Sequence, residues 1–123
     1  MGGPSAILVD DEEDILPEYQ EMLELEGIDA LVTSDPEQAF HMVCATAGIR
    51  LVITDLRMAR LDGAGLIRKL REALPERNLR FIVITGDATV VHDPAEIGGL
   101  VLLKPVDRGE LVQAVSKALA DAV

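Results

Sequence analysis

Five polar residues with complementary chemistry each follow a short apolar run in this 123-residue sequence: Asp10, Asp11, Asp55, Thr85 and Lys104. Three carboxylates in one place repel one another unless a cation joins them, and Mg²⁺ is a hard ion that prefers such oxygen ligands. The amine of Lys104 and the hydroxyl of Thr85 would add a positive charge and a hydrogen-bond donor. This combination suits phosphoryl transfer, in which a carboxylate can itself be the nucleophile.

The five residues meet only if the apolar runs before them are neighbours in one sheet. None of the runs alternates with polar residues, which is typical of strands that are covered on both faces. Segments with helical spacing separate them, so the sequence predicts an α/β fold: a doubly wound five-stranded parallel sheet in the order 2-1-3-4-5 with helices on both faces. The whole chain, residues 1–123, is predicted to form a single domain. The predicted strands are Ala6 to Val9, Ala30 to Val32, Leu51 to Ile53, Phe81 to Ile84 and Leu100 to Leu103.

The helical segments carry apolar stripes and recognisable ends. Ser34, Pro36 and Glu37 predict a capping box at the start of the second helix. The segment from Asp87 to Gly99 contains Pro94 and two glycines, so a fourth helix there is predicted to be short or irregular. The predicted core-facing stripes are Ile15, Tyr19, Met22 and Leu23; Ala39, Phe40, Val43, Cys44 and Ala47; Leu66, Ile67, Leu70 and Leu74; and Leu111, Val115, Leu119 and Ala122.

The charge, the apolar runs and the cysteine count of the sequence argue against several classes of function. The formal charge is −11, and no lysine or arginine precedes Arg50. Such a field repels nucleic-acid phosphates, so we expect no direct nucleic-acid binding by this domain. The acidic half is either a solvated surface or a docking surface for a basic partner. No apolar run is long enough to span a membrane, and the single cysteine, Cys44, excludes an internal disulfide, which favours the cytoplasm.

Each candidate residue also has a structural explanation. Asp10 and Asp11 could simply cap the first helix, Asp55 could be a turn residue, and Thr85 or Lys104 alone could be structural or solvated. Their joint occurrence after four different strands favours the chemical interpretation.

Four stretches resemble the bacterial two-component receiver domains in order and spacing: ILVDDEED, LVITDLRMARLDG, FIVITGD and LLKPV. The resemblance implies that Asp55 is the phosphoacceptor. It implies a Mg²⁺ site in which Asp11 binds the metal directly, Asp10 binds mainly through water, and Asp55 and the backbone carbonyl of Arg57 complete the protein ligands.

The same resemblance implies roles for the remaining site residues. Thr85 would donate to a phosphoryl oxygen and move towards it, and Lys104 would pair with the phosphate and precede a cis peptide bond to Pro105. Two positions depart from the family pattern: Ala59 replaces a usual proline, and Val101 replaces a usual aromatic residue. The second departure puts the usual means of output in doubt.

By this resemblance the chain is a signalling switch that is phosphorylated by a sensor histidine kinase or a histidine phosphotransfer protein and acts on an output domain or partner protein. It would assist its own phosphoryl transfer and slow hydrolysis without being an enzyme with independent turnover. One alternative is a receiver-like docking module that works without phosphorylation. A phosphatase of the haloacid dehalogenase type is disfavoured, because Arg57 occupies the place of the second aspartate that such enzymes need.

Overall fold

The computed structural model describes residues 3–58, 61–86 and 99–121, and this part of the chain forms one five-stranded sheet with four α-helices. The fourth helix was predicted within Asp87 to Gly99, and residues 87–98 of that segment lie outside the described residues. No helix in the described part is long and apolar enough to cross a membrane. The strands are β1 (Ala6–Val9), β2 (Ala30–Thr33), β3 (Leu51–Asp55), β4 (Arg80–Thr85) and β5 (Leu100–Leu103); the helices are α1 (Leu16–Glu24), α2 (Pro36–Ala45), α3 (Gly63–Ala73) and α4 (Arg108–Asp121).

The sheet has the predicted topology, with strand order β2-β1-β3-β4-β5 and every neighbouring pair parallel. In register, Asp55 lies opposite Ile84 and Thr85 lies opposite Leu103. The carboxyl ends of β1, β3, β4 and β5 are therefore neighbours at one edge of the sheet. This is the edge at which open parallel sheets bind ligands.

Helices cover both faces of the sheet, as predicted, because consecutive strand residues point to opposite sides. Ala6 and Leu8 of β1 join a core cluster with α1 and α4, whereas Ile7 and Val9 join a second cluster with α2 and α3. Both clusters consist almost entirely of aliphatic side chains. The helix residues buried in them are Leu16, Tyr19, Leu23, Leu111 and Val115 on one face and Ala39, Val43, Leu66, Ile67 and Leu70 on the other.

The start of α2 differs from the predicted capping box. Its N-cap is Asp35, whose extended backbone directs the side chain to accept a hydrogen bond from the Glu37 amide at 2.9 Å. Ser34 lies one residue too early and donates instead to Glu13 at 3.1 Å. Pro36 does occupy the first turn, where its missing N–H leaves no helical hydrogen bond unmade.

The predicted apolar stripe of α2 was wrong at two positions. Cys44 is exposed, because it lies one residue, or about 100° of helical rotation, beyond the buried Val43. Ala47 is exposed because α2 ends at Ala45. Ile15 closes a short 3₁₀ turn before α1 and packs half-buried against the core cluster, as predicted, and Leu16 is buried beside it.

One arginine in the loop after α3 binds backbone carbonyls at and beyond the C-terminal end of α2. The Arg77 guanidinium donates to the carbonyl oxygens of Val43, Thr46 and Ile49 at 2.6, 2.9 and 2.8 Å. Val43 lies in the last turn of α2, and Thr46 and Ile49 lie in the loop that follows it. A cation at the C-terminal end of a helix also interacts favourably with the helix dipole. Arg77 therefore fastens α2 to the α3–β4 connection.

We expect Arg77→Ala to lower the free energy of unfolding by about 2 kcal/mol, because it removes charge-assisted hydrogen bonds to three partly buried carbonyls. Urea denaturation measures the change. Arg68→Ala is the matched control, since Arg68 is an exposed arginine on α3. Equal effects of the two substitutions would show that the three bonds to Arg77 contribute nothing specific.

Candidate functional site

The structure brings the sequence-predicted site residues together at the carboxyl edge of the sheet. Asp10 follows β1, Asp55 and Thr85 are the last residues of β3 and β4, and Lys104 follows β5. Asp10, Asp55 and Thr85 are buried, with exposed fractions of 1%, 7% and 1%, whereas Asp11 is exposed at the rim. The edge therefore carries charged groups partly withdrawn from water.

Three carboxylates form a compact oxygen cluster at this edge. One oxygen from each of Asp10, Asp11 and Asp55 lies within 4.8 Å of the other two. A set of hard carboxylate oxygens with one exposed member suits a hard divalent cation that retains several waters, as Mg²⁺ does. The donor set therefore fits the predicted metal. The Arg57 amide donates to Asp55 Oδ1 at 3.4 Å, which holds the backbone of Arg57 next to this cluster.

Lys104 links the carboxylates across the sheet edge. Its Nζ lies 3.0 Å from Asp55 Oδ2 and 3.1 Å from Asp10 Oδ2, and its side chain is 18% exposed. The Lys104 amide donates to the Thr85 carbonyl at 2.8 Å, which ties the start of the lysine loop to the end of β4. The peptide bond from Lys104 to Pro105 is cis, in agreement with the prediction.

Burial shifts the pKa values of Asp10 and Lys104 in the direction opposite to that of the neighbouring hydrogen bonds. Burial raises the pKa of Asp10, and this effect exceeds the opposing hydrogen bonds from the Glu12 amide and Lys104. Burial alone would lower the pKa of Lys104, but its hydrogen bonds to Asp55 and Asp10 raise that pKa above the ordinary value. Lys104 is therefore firmly protonated and supplies a permanent positive charge at neutral pH.

The backbone of Asp55 is held from both sides. The next amide, that of Leu56, donates to the Ile84 carbonyl at 2.9 Å, and the Gly63 amide donates to the Leu56 carbonyl at 2.8 Å. A Cβ on Gly63 would overlap the Asp55 carbonyl oxygen, so α3 begins directly against the Asp55 peptide and requires glycine there. Asp62 caps α3 by accepting from the Gly65 amide at 2.7 Å.

Sequence reasoning did not identify one member of the site. Glu12 Oε1 lies 3.4 Å from Lys104 Nζ, and the Glu12 amide donates to Asp10 Oδ1 at 3.0 Å. The only sequence signal was its place in the acidic run after β1, which does not indicate where an exposed side chain points. Glu12 is the third carboxylate in contact with Lys104.

The sheet topology and the strand-end constellation define an α/β domain of the receiver type, and the chain belongs to the response regulator receiver domain family, whose model matches residues 6–116. Among curated proteins it is 31% identical over 117 residues to the C4-dicarboxylate transport transcriptional regulatory protein DctD of Rhizobium meliloti. It is also 31% identical over 116 residues to the transcriptional regulatory protein GlrR of Escherichia coli.

These matches cover 94% and 92% of this chain but only 25% and 26% of DctD and GlrR, so the chain spans about a quarter of those relatives. Among solved structures, a response regulator receiver protein from Sinorhizobium medicae has a TM-score of 0.82 at 29% identity, with 98% of each chain covered. A receiver domain protein from Clostridium thermocellum has a TM-score of 0.84 at 26% identity, with 97% of this chain and 96% of that chain covered. The predicted family and fold are confirmed.

The site also predicts how stability responds to alkaline pH. Burial raises the pKa of Tyr19, which is 3% exposed, and the pKa of Lys104 is raised by its carboxylate partners. In the unfolded chain the pKa of both groups is ~10, and below that pH each group contributes its full stabilisation to the fold. The contribution is lost as the pH rises through the higher pKa of the folded protein. We expect the free energy of unfolding to fall above pH ~10.

Urea denaturation across this range measures the loss, and phenolate absorbance follows Tyr19 directly because it is the only tyrosine. Tyr19→Phe should reduce the alkaline loss without removing it, since Lys104 remains. A Tyr19 that ionises in the folded protein at its ordinary pKa would contradict this prediction.

Proposed function

We propose that residues 1–123 act as one phosphorylation-controlled switch of a two-component system, in which Asp55 accepts a phosphoryl group from a sensor histidine kinase or a histidine phosphotransfer protein in a Mg²⁺-dependent reaction. The observation that carries this proposal is the contact of Lys104 Nζ with Asp55 Oδ2 at 3.0 Å, next to a cluster of three carboxylates. A carboxylate nucleophile, a fixed cation and a set of metal ligands are together what phosphoryl transfer requires of a protein.

In the proposed reaction, a carboxylate oxygen of Asp55 attacks the phosphorus atom of the donor. An oxygen–phosphorus bond forms, the bond from phosphorus to the histidine nitrogen breaks, and the electron pair of that bond leaves with the imidazole. Asp10, Asp11, Asp55 and the backbone carbonyl of Arg57 would hold Mg²⁺, which when bound neutralises charge on the carboxylates and the phosphoryl oxygens.

Lys104 and Thr85 stabilise the transferred group in this proposal. Lys104 is already within 3.0 Å of the acceptor oxygen, so its ammonium group can follow the charge as it passes to the phosphoryl oxygens. Thr85 ends the neighbouring strand β4, and its hydroxyl would donate to a phosphoryl oxygen and move towards it. Thr85 ends β4 and Lys104 directly follows β5, and the Lys104 amide is bonded to the Thr85 carbonyl, so the backbone of both residues is held at the sheet edge.

The phosphorylated state is the signal, and the chain has no independent substrate turnover beyond assisting its own transfer and slow dephosphorylation. DctD and GlrR are named as transcriptional regulators, which supports an output domain or partner protein downstream of this domain. The net charge of −11 supports our proposal that this domain does not itself bind nucleic acid. We place this function in the cytoplasm, away from the membrane interior.

The test is incubation with Mg²⁺ and acetyl phosphate, followed by intact mass measurement. We expect the addition of one phosphoryl group, lost again when the acyl phosphate is hydrolysed. A protein that never gains this mass, with acetyl phosphate or with a phosphorylated histidine donor, would instead support the alternative, a docking module that works without phosphorylation.

A further inference from the structure

Glu12 is a solvent-exposed residue that contacts the ammonium group of Lys104. Its carboxylate is 3.4 Å from Lys104 Nζ, whereas the two other partners of that ammonium, Asp10 and Asp55, are closer and buried. The Glu12 side chain is 66% exposed. Its amide is bonded to Asp10 Oδ1, so the backbone from which this side chain extends is fixed relative to the site.

We propose that Glu12 is a positioning residue that competes with incoming phosphoryl oxygens for Lys104 and so slows phosphorylation by anionic donors. The inference rests on the proposed function and adds a residue to it. In the resting protein Lys104 is shared among three carboxylates, one of which, Glu12, is free to turn into water. Transfer to Asp55 requires the ammonium to leave Glu12 and face the phosphoryl group.

Charge at the mouth of the site supports this role. The carboxylates of Asp10, Asp11, Asp55 and Glu12 with one ammonium carry a net charge of −3, which a bound divalent cation changes to −1. Loss of the Glu12 charge then leaves the site neutral. An anionic donor meets less repulsion in that state, and the gain is greatest for the donor with the greater charge.

The experiment compares phosphorylation rates of Glu12→Gln and wild type at saturating Mg²⁺ with dianionic acetyl phosphate and monoanionic phosphoramidate. In the acetyl phosphate reaction the Asp55 oxygen bonds to phosphorus, the acetyl oxygen–phosphorus bond breaks, and acetate leaves with the electron pair. We expect Glu12→Gln to react about threefold faster at low ionic strength, the size of an exposed charge interaction. The gain should be smaller with phosphoramidate and should vanish near ~1 M salt.

Glu13→Gln is the matched control, because Glu13 is the next residue, is also exposed and accepts a hydrogen bond from Ser34 rather than from Lys104. A second readout is the ¹⁵Nζ resonance of Lys104, one of three lysines in the chain. It should shift in Glu12→Gln and stay in place in Glu13→Gln.

The outcomes separate the two proposals. Wild-type phosphorylation with equal rates in the two variants would overturn the role of Glu12 and leave the proposed function standing. A wild-type protein that is not phosphorylated on Asp55 would overturn the proposed function, and the role of Glu12 with it. Faster reaction of Glu12→Gln alone, dependent on donor charge and on salt, would support the inference.

Discussion

Asp55→Asn is expected to abolish phosphorylation by acetyl phosphate, with a rate at least ~100-fold below wild type. Asparagine has nearly the same shape, but its amide oxygen carries no full negative charge and is a poor nucleophile. Its oxygen can still accept the hydrogen bond from the Arg57 amide, so the fold and the rim of the site should remain. Intact mass measurement after incubation with Mg²⁺ and donor gives the labelled fraction directly.

Asp62→Asn is the matched control for this experiment. Asp62 lies a few residues after Asp55 in the chain and caps α3, a role in which asparagine serves about as well as aspartate. The same chemical change outside the carboxylate cluster should therefore leave labelling at the wild-type level. Equal labelling of Asp55→Asn and wild type would show that another residue is the acceptor.

Mg²⁺ is expected to stabilise the folded protein by mass action, because the metal ligands are assembled only in the folded state. At a free Mg²⁺ concentration ten times the Kd, the stabilisation is about 1.4 kcal/mol, or ~5 °C in Tm for a domain of this size. Asp11→Asn should remove most of this response, since Asp11 is the exposed member of the oxygen cluster. Thermal unfolding with a Mg²⁺ titration measures both quantities.

Asp14→Asn provides the matched loss of charge in the same acidic run, outside the cluster of Asp10, Asp11 and Asp55. It should retain the full Mg²⁺ response, because a diffuse effect of surface charge is screened by salt whereas ligation is local. A metal response that survives in Asp11→Asn, or that is lost equally in Asp14→Asn, would place the stabilising ion elsewhere.

The fold could be predicted from sequence because its signals are long and redundant. Five buried strands and the helical segments between them specify a parallel sheet, and the strand order then places Asp55, Thr85 and Lys104 at one edge. The structure has this order and brings the three residues to that edge. Their chemical roles stay predictions until the acceptor and metal experiments are done.

The wrong or missing predictions concern the exact start of a helix, the helix face on which one residue lies, and the direction of an exposed side chain. Ser34 and Asp35 are both good N-caps, and only the backbone angles before Pro36 select Asp35. Cys44 is small and apolar, so composition alone favoured the core. The Glu12 contact with Lys104 joins residues far apart in sequence, and no periodic pattern predicts such a pair.

Val101 is a partly buried residue of β5 at which the sequence departs from the family pattern. The resemblance identified it as a departure from the usual aromatic residue, and the structure places it half-buried against the core cluster that includes Phe81 and Val83. Valine has one preferred rotamer and no ring to exchange between two positions. That output does not run through this side chain therefore stays a prediction.

The exposed position of Cys44 makes the protein convenient for site-specific labelling. It is the only thiol in the chain, so a maleimide dye or spin label would attach at one site without prior removal of other cysteines. The attachment point lies on α2, whose C-terminal end Arg77 fastens to the α3–β4 connection. A label there would report distances from a rigid helix, and the native sequence could be studied by fluorescence transfer or electron spin resonance with a partner labelled separately.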